Sequence, residues 1–521
     1  MSDTKFERNA GILMPVSSLP SPYGIGTFGK DAYDFVTFVK ECNHKYWQGL
    51  PLGPTTYGDS PYQSYSAFAG NPYFVDLDML IEAGFLLKSE VISRDWGDGI
   101  VPVNVSEDDA VNGRFGTYRD GNIGDERYVS YEKIYNNRFD ILRIAYNRFK
   151  AACAESKKTL AKGLPLYKQF DNFVKDNADW LEDYALFMAV KDRFEGVEWT
   201  KWAEDIRLRW NNAMDYYREE LYFDIEFQQY MQFKFYEQWM KLKSYANSKG
   251  IQIIGDIPIY VAMDSADAWA HPELFQLDAH NAPTAIAGCP PDAFAEDGQA
   301  WGNPLYNWNF HRATDYAWWV SRMWYSFKLY DVVRIDHFRG FDEYFSIPAD
   351  AKTARGGHWE KGPGMELFNS IRRHLGNVSV IAEDLGLMTD GVRALVRDSG
   401  YPNMKVLQFA VDPADVGGAN DYWPHNYNSN CVVYTGTHDN ETLAGWYAGL
   451  SIEAKTQVRN YLSDYYTPDD RMYKVLINLA MIAVAKDCII PIQDHLGLGN
   501  EARINQPGTV GFNWRWRLLP G

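Results

Sequence analysis

The 521-residue chain is predicted to fold as an α/β protein, a (β/α)8 barrel with large inserted subdomains around its C-terminal face. Eight short runs rich in β-branched and apolar residues recur along it, helical patterns separate them, and there is no internal repeat or low-complexity tract. Strands buried on both faces and alternating with helices build a barrel, with a doubly wound sheet as the rival arrangement.

The elements follow in order. The first strand is ILMPVSS (12–18), and the next helix lies in KDAYDFVTFVKECN, where Phe35, Phe38, Val39 and Cys42 fall at helical spacing. YWQGLPL (46–52) is the second strand. The third, IQIIGDIPIYV (251–261), follows a long helix that sets Met231, Phe235, Trp239, Leu242 and Ala246 along one stripe and stops at Gly250. DVVRIDHF (331–338) and VSVIAEDL (378–385) come next. TDGVRALVRDSG then reads as a short helix opened by Thr389 and closed by Gly400. MKVLQFAV (404–411), CVVYTGTHD (431–439) and CIIPIQDH (488–495) complete the set.

Two connections exceed what a plain barrel unit needs. One runs from about residue 54 to 223 and carries helices of its own, notably in LPLYKQFDNFVKDNADWLEDYALFMAVKDRF; the other spans about 263–330. Insertions of this kind wall the catalytic face. The expectation is therefore one catalytic barrel domain over 1–521, with subdomains inserted at 54–223 and 263–330.

Composition narrows the partners. A formal net charge of −18 without a basic run argues against nucleic acid and anionic membrane. The five cysteines are scattered, odd in number and without metal spacing, which fits reduced thiols. The start of the chain lacks a signal-peptide layout, and no apolar run approaches the roughly 20 residues of a membrane span. A cytoplasmic location is expected, with oligomeric state open. Aromatic residues make up 16 % of the chain and recur in loops, where their faces could stack on sugar rings.

The stretch VRIDHFRG (333–340) carries the chemistry. Side chains alternate along a strand, so Arg334 and Asp336 share one face while Val333 and Ile335 take the other. An arginine beside a carboxylate favours its ionised, nucleophilic form, and Asp256 at the end of the third strand is a second partner for Arg334. Asp336, Glu383 and Asp439 are expected to end the fourth, fifth and seventh strands at the C-terminal rim. Retaining glycosidases need a nucleophile and an acid about 5–5.5 Å apart, which adjacent strands can supply. Other carboxylate-rich barrel chemistries fit the same spacing. GIGTFG (24–29) matches a dinucleotide fingerprint, but Pro20 and Pro22 stiffen the turn and the second strand ends without a ribose-binding acid. No cofactor and no metal is expected.

At these residues the sequence resembles the 4-α-glucanotransferases of glycoside hydrolase family 77, the amylomaltases or disproportionating enzymes of the α-amylase-like clan. The likeness spans nearly the whole chain. It includes YGDSPYQSYSAFAGNPYFVDL (57–77), GDIPIYVAMDS (255–265), PPDAFAEDGQAWGNPLYNW (290–308), VRIDHFRGF (333–341), IAEDLG (381–386), YTGTHDNET (434–442) and RINQPGT (503–509). It implies transfer of α-1,4-glucan segments between maltooligosaccharides with release of glucose. Asp336 would be the nucleophile, Glu383 the general acid/base and Asp439 the third carboxylate. Arg334, His337 and His438 would contact the donor sugar and Tyr62 would stack on it. Asp292, Gln299 and Trp301 would border the acceptor, and Tyr57 would belong to a remoter glucan surface. Asp384 should face away and serve structure. The chain departs from many relatives at Ala293, where they carry tyrosine. A hydrolase sharing the covalent intermediate, or a glucan binder without catalysis, are the alternatives.

Overall fold

All eight strands form, and they close into a parallel barrel: β1 (Asn9–Leu13), β2 (Tyr46–Gln48), β3 (Gln252–Ile257), β4 (Val332–Ile335), β5 (Val380–Ala382), β6 (Asn403–Val406), β7 (Cys431–Tyr434) and β8 (Asp487–Pro491). Each pairs with its sequence neighbours, and β8 returns to β1. The computed structural model describes residues 7–56, 58–97, 101–102, 117–118, 127–158, 164–291, 296–386, 388–415 and 417–520.

Alternation along the strands sorts the side chains. Leu13, Tyr46, Ile254, Ile381, Met404, Val406, Val432, Tyr434 and Ile489 pack together as the barrel interior. Arg334 joins that interior, its Nε 3.4 Å from Met404 Sδ, whereas Val333 and Ile335 belong to the layer packed under the surrounding helices. A charged residue inside a packed barrel needs a partner of opposite sign, and the neighbouring strand provides it.

The helices obey local signals. The helix Asp390–Ser399 opens with the Thr389 side chain accepting from the Val392 amide and closes at Gly400 in the left-handed region (φ 74°). In the helix Tyr222–Ser248 the predicted stripe from Met231 to Ala246 is buried, and the Trp239 indole donates to Leu329 O at 3.0 Å. The first helix, Lys30–Glu41, is rotated from expectation. It buries Ala32, Phe35, Val36 and Val39 and leaves Phe38 and Cys42 exposed, because Phe35 packs edge-on to Trp47 of β2, with centroids 5.1 Å apart, and turns the face bearing Phe38 outward. The first strand also sits earlier than predicted, since Pro15 ends the ladder and Val16–Ser18 forms a 3-10 turn.

Between β2 and β3 lie inserted helices, including Tyr131–Ser156, Leu166–Asp176, Ala178–Arg193 and Asn211–Glu220. The connection after β3 adds the strands Ala285–Cys289 and Gln299–Pro304. These join Glu343–Pro348 and His358–Lys361, from the connection after β4, in a four-stranded antiparallel sheet absent from the sequence expectation. The glycines of GIGTFG prove to be packing residues. A Cβ on Gly26 would lie 1.7 Å from Val16 O, and one on Gly29 would lie 2.0 Å from Asp76 Oδ2.

Candidate active site

The register of β3, β4 and β5 builds the centre of the site. Asp256 on β3 is the partner of Arg334 on β4, and Ile335 pairs with Ala382, so Asp336 and Glu383 each stand one residue beyond a paired position on adjacent strands. Arg334 Nη1 lies 2.7 and 2.8 Å from the two oxygens of Asp256 and 3.0 Å from Asp336 Oδ1. Asp256 is fully buried, while the Asp336 side chain keeps 30 % of its surface open to the cleft. One guanidinium thus ties a buried anchor to a reachable carboxylate. Truncating the anchor leaves Arg334 short of a partner: Asp256→Ala should destabilise the fold by about 3–5 kcal/mol, read as a lowered urea midpoint.

Glu383 is buried, and both of its oxygens are held by backbone amides. Oε2 accepts from His337 N at 2.6 Å and Oε1 from Leu385 N at 2.9 Å. Burial, reinforced by the charge of Asp336, pushes its carboxyl up to about 8, against the pull of Arg334 and the two amides. The next residue, Asp384, turns to the opposite face as expected. It accepts from Met404 N at 3.0 Å and Asn403 Nδ2 at 3.2 Å, pinning β6 to β5.

His337 is bent into the left-handed region (φ 51°), a conformation that costs a non-glycine residue about 1–3 kcal/mol. The bend persists because Glu383 grips both sides of it, through its carboxylate on His337 N and its carbonyl on Phe338 N at 2.9 Å. It turns the imidazole edge-on to Trp301, with centroids 4.9 Å apart. Burial pushes the imidazole down to about 4, so it is neutral near pH 7, and its buried Nε2 has no hydrogen-bond partner among the described residues. Trp301 Nε1 donates to Gln299 Oε1 at 3.0 Å, two residues away on the same strand face.

Asp439 arrives by a longer route than the strand reading expects. β7 ends at Tyr434, and Asp439 lies in the loop beyond it, because Thr437 and Asn440 close a turn through their side chains. Its carboxylate accepts from Asn505 Nδ2 at 2.6 Å and lies 3.3 Å from His438 Nε2. Arg503 Nη2 donates to the Asp439 carbonyl at 2.8 Å. Tyr62 stacks on His438 (centroids 5.0 Å, 17° between planes), and its hydroxyl donates to Asp256 Oδ2 at 2.8 Å. Burial, with Asp256 beside it, keeps that phenol protonated well above the usual range. Trp514 packs against both Tyr62 and His438.

Arg334, Asp336, His337, Glu383, Tyr62, His438 and Asp439 are therefore linked by contacts, and Gln299 and Trp301 adjoin through His337. Tyr57 and Asp292, with Ala293, lie outside the described residues. Residue-level reasoning missed Asn505, Arg503 and Trp514 as supports. Asn505 and Arg503 sit in RINQPGT, a block carried by the resemblance without a role, and contacts across more than 60 residues have no local sequence signal. Among the described residues no group of three or more His, Cys, Asp or Glu could hold a metal ion.

A parallel barrel with a clamped aspartate, a buried glutamate and a third aspartate beyond its strand ends, walled by aromatic rings, defines a carbohydrate-active barrel enzyme. The comparisons narrow the class. The sequence matches the glycoside hydrolase family 77 profile, described as 4-alpha-glucanotransferase, over residues 14–520. It is 44 % identical to the 4-alpha-glucanotransferase of Clostridium butyricum over 508 residues, covering 97 % of this chain and 95 % of that one. It is 43 % identical to the Thermus thermophilus enzyme over 519 residues, covering 99 % and 95 %. The solved amylomaltase from Streptococcus agalactiae, in complex with acarbose, superposes with a TM-score of 0.87 at 39 % identity, covering 98 % and 95 %. The chain belongs to the 4-alpha-glucanotransferase family.

Proposed function

We propose that the enzyme transfers α-1,4-glucan segments between maltooligosaccharides by double displacement with retention, releasing glucose from short donors. Asp336 attacks the anomeric carbon while Glu383 protonates the departing glycosidic oxygen. A glycosyl-enzyme ester forms, and Glu383, now a carboxylate, takes the proton of the incoming sugar hydroxyl. The observation that carries this reading is the unlike environment of the two carboxyls: Asp336 open to the cleft and bound by Arg334, Glu383 buried with its proton retained.

The remaining groups take supporting roles. Asp439, oriented by Asn505, faces the sugar hydroxyls next to the reacting carbon; His438 and the Nε2 of His337, unpartnered among the described residues, offer further hydrogen bonds. Tyr62 presents a ring that its stacking on His438 holds in place. Gln299, Trp301 and Asp292 border the acceptor side, with Tyr57 on a remoter glucan surface. The two insertions, 54–223 and 263–330, act as subdomains that wall the cleft and favour a sugar hydroxyl over water as acceptor. The ligand class is α-glucan, as for the relative solved with acarbose. No helix among the described residues is long and apolar enough to cross a membrane, and a cytoplasmic site of action fits the buried, unlinked Cys431 and Cys488.

Incubation with maltotriose tests the function directly. The expected products, separated by size, are free glucose and a ladder of longer oligosaccharides. Glucose and maltose alone would mean that water resolves the intermediate, and the transferase reading would fall.

A further inference from the structure

We propose that Tyr465 and Tyr466 form a second binding surface for α-1,4-glucan chains, outside the catalytic cleft and at the same end of the barrel. The choice of glucan as occupant rests on the transferase reading. The two rings are adjacent in sequence and lie open to solvent, at 61 % and 95 % of their full exposure. Isolated exposed aromatics are common, but two neighbouring rings on a fixed backbone are a different matter.

The turn that carries them is tied at every step. The Asp464 carboxylate accepts from Tyr466 N at 3.1 Å, Thr467 N at 2.9 Å and Thr467 Oγ1 at 2.7 Å. The Arg459 guanidinium grips the same turn from below, donating to Asp464 O at 3.1 Å, Thr467 O at 2.8 Å and Asp469 Oδ1 at 2.6 Å. Tyr465 OH donates to Asn460 Oδ1 at 3.0 Å. The backbone is thus ordered before any ligand arrives, so stacking would cost little further entropy.

Topology puts the turn on the catalytic side. The helix Met472–Ile482 leads down into β8, so it begins at the C-terminal end of the barrel, where the turn precedes it. Further aromatic rings lie on the helix Ile452–Leu462 that leads into the turn and on the segment it packs against. Tyr461 stacks on Trp423 with centroids 4.1 Å apart, and the neighbouring Tyr422 meets Phe409, itself exposed, at 5.4 Å.

The chemistry favours a neutral polyhydroxy ligand. Flat apolar ring faces suit a sugar ring, and the chain's net charge of −18 repels anions. A long glucan held here would keep one end near the cleft and raise its local concentration.

Native electrophoresis in gels containing glycogen reads the surface without requiring turnover. Tyr465→Ala/Tyr466→Ala should weaken retardation roughly 3- to 10-fold relative to wild type. Tyr466→Phe, which keeps the ring, should retain it. KM for long amylose should rise in the double variant while kcat/KM for maltotriose stays within about twofold, since the cleft is untouched. Equal mobility of wild type and double variant overturns the proposal, as does a wild type that glycogen does not retard. Failure of the wild type on maltotriose strikes the transferase reading instead.

Discussion

Asp336→Ala should lower turnover of maltotriose on the order of 10^5- to 10^6-fold, with the fold intact. The loss is large because no other group can take over. Glu383 is fixed by two backbone amides, and Asp439 is held by Asn505 in a loop beyond β7. The fold survives because Arg334 keeps both contacts to Asp256 when Asp336 is removed, so no buried charge is orphaned. Circular dichroism and the melting temperature should match wild type. The opposite pattern is expected at Asp256, where stability falls, so the pair of variants separates chemistry from structure. Azide supplies a positive test. It is small enough to enter the space left by the carboxylate, and attack from that side gives a glycosyl azide of inverted configuration. A well-folded Asp336→Ala enzyme with near-normal transfer would remove Asp336 from the nucleophile's role.

The barrel was legible because strand periodicity, length and spacing all report burial on two faces, and burial is what a barrel strand experiences. The same logic placed Arg334 and Asp336 on one face and Asp384 on the other, and each contact appears as the alternation requires. What escaped the reading depends on contacts distant in sequence. The antiparallel sheet joins Ala285–Cys289 to Glu343–Pro348, two short strands in different connections, neither with a strong period of its own. The rotation of the first helix turns on which face meets the barrel, a question that Phe35 and Phe38 answer equally well in isolation. Asp439 was misplaced onto a strand end because TGTHD follows the apolar CVVY with no proline or charged break before His438, and only the Thr437–Asn440 turn shows where the ladder stops. The left-handed bend at His337 had no signal at all, since it is imposed by Glu383 from the next strand.

Glu383→Gln should cost transfer on the order of 10^2- to 10^4-fold, and the pH behaviour should identify the cause. In the free enzyme the carboxyl is pushed up to about 8, so kcat/KM for maltotriose should fall as pH rises through that value, when the proton needed by the leaving oxygen is lost. The variant has no such limb. A donor whose leaving group is fluoride needs no proton, so glycosylation of Glu383→Gln should proceed with it. The second half-reaction still lacks its base, and the glycosyl-enzyme should accumulate to an extent that mass spectrometry of the intact protein can detect. Stability carries the same signature with a definite sign. Between the ordinary carboxyl value of 4.5 and about 8, the folded state keeps a proton that the unfolded state has released, so this group's contribution to stability declines as pH rises across that window. Glutamine cannot ionise and removes the decline. The variant should therefore gain melting temperature over wild type at pH 8.5 but not at pH 5, while losing activity at both. An equal shift at the two pH values would mean that Glu383 is ionised throughout, and its role as the acid would not stand.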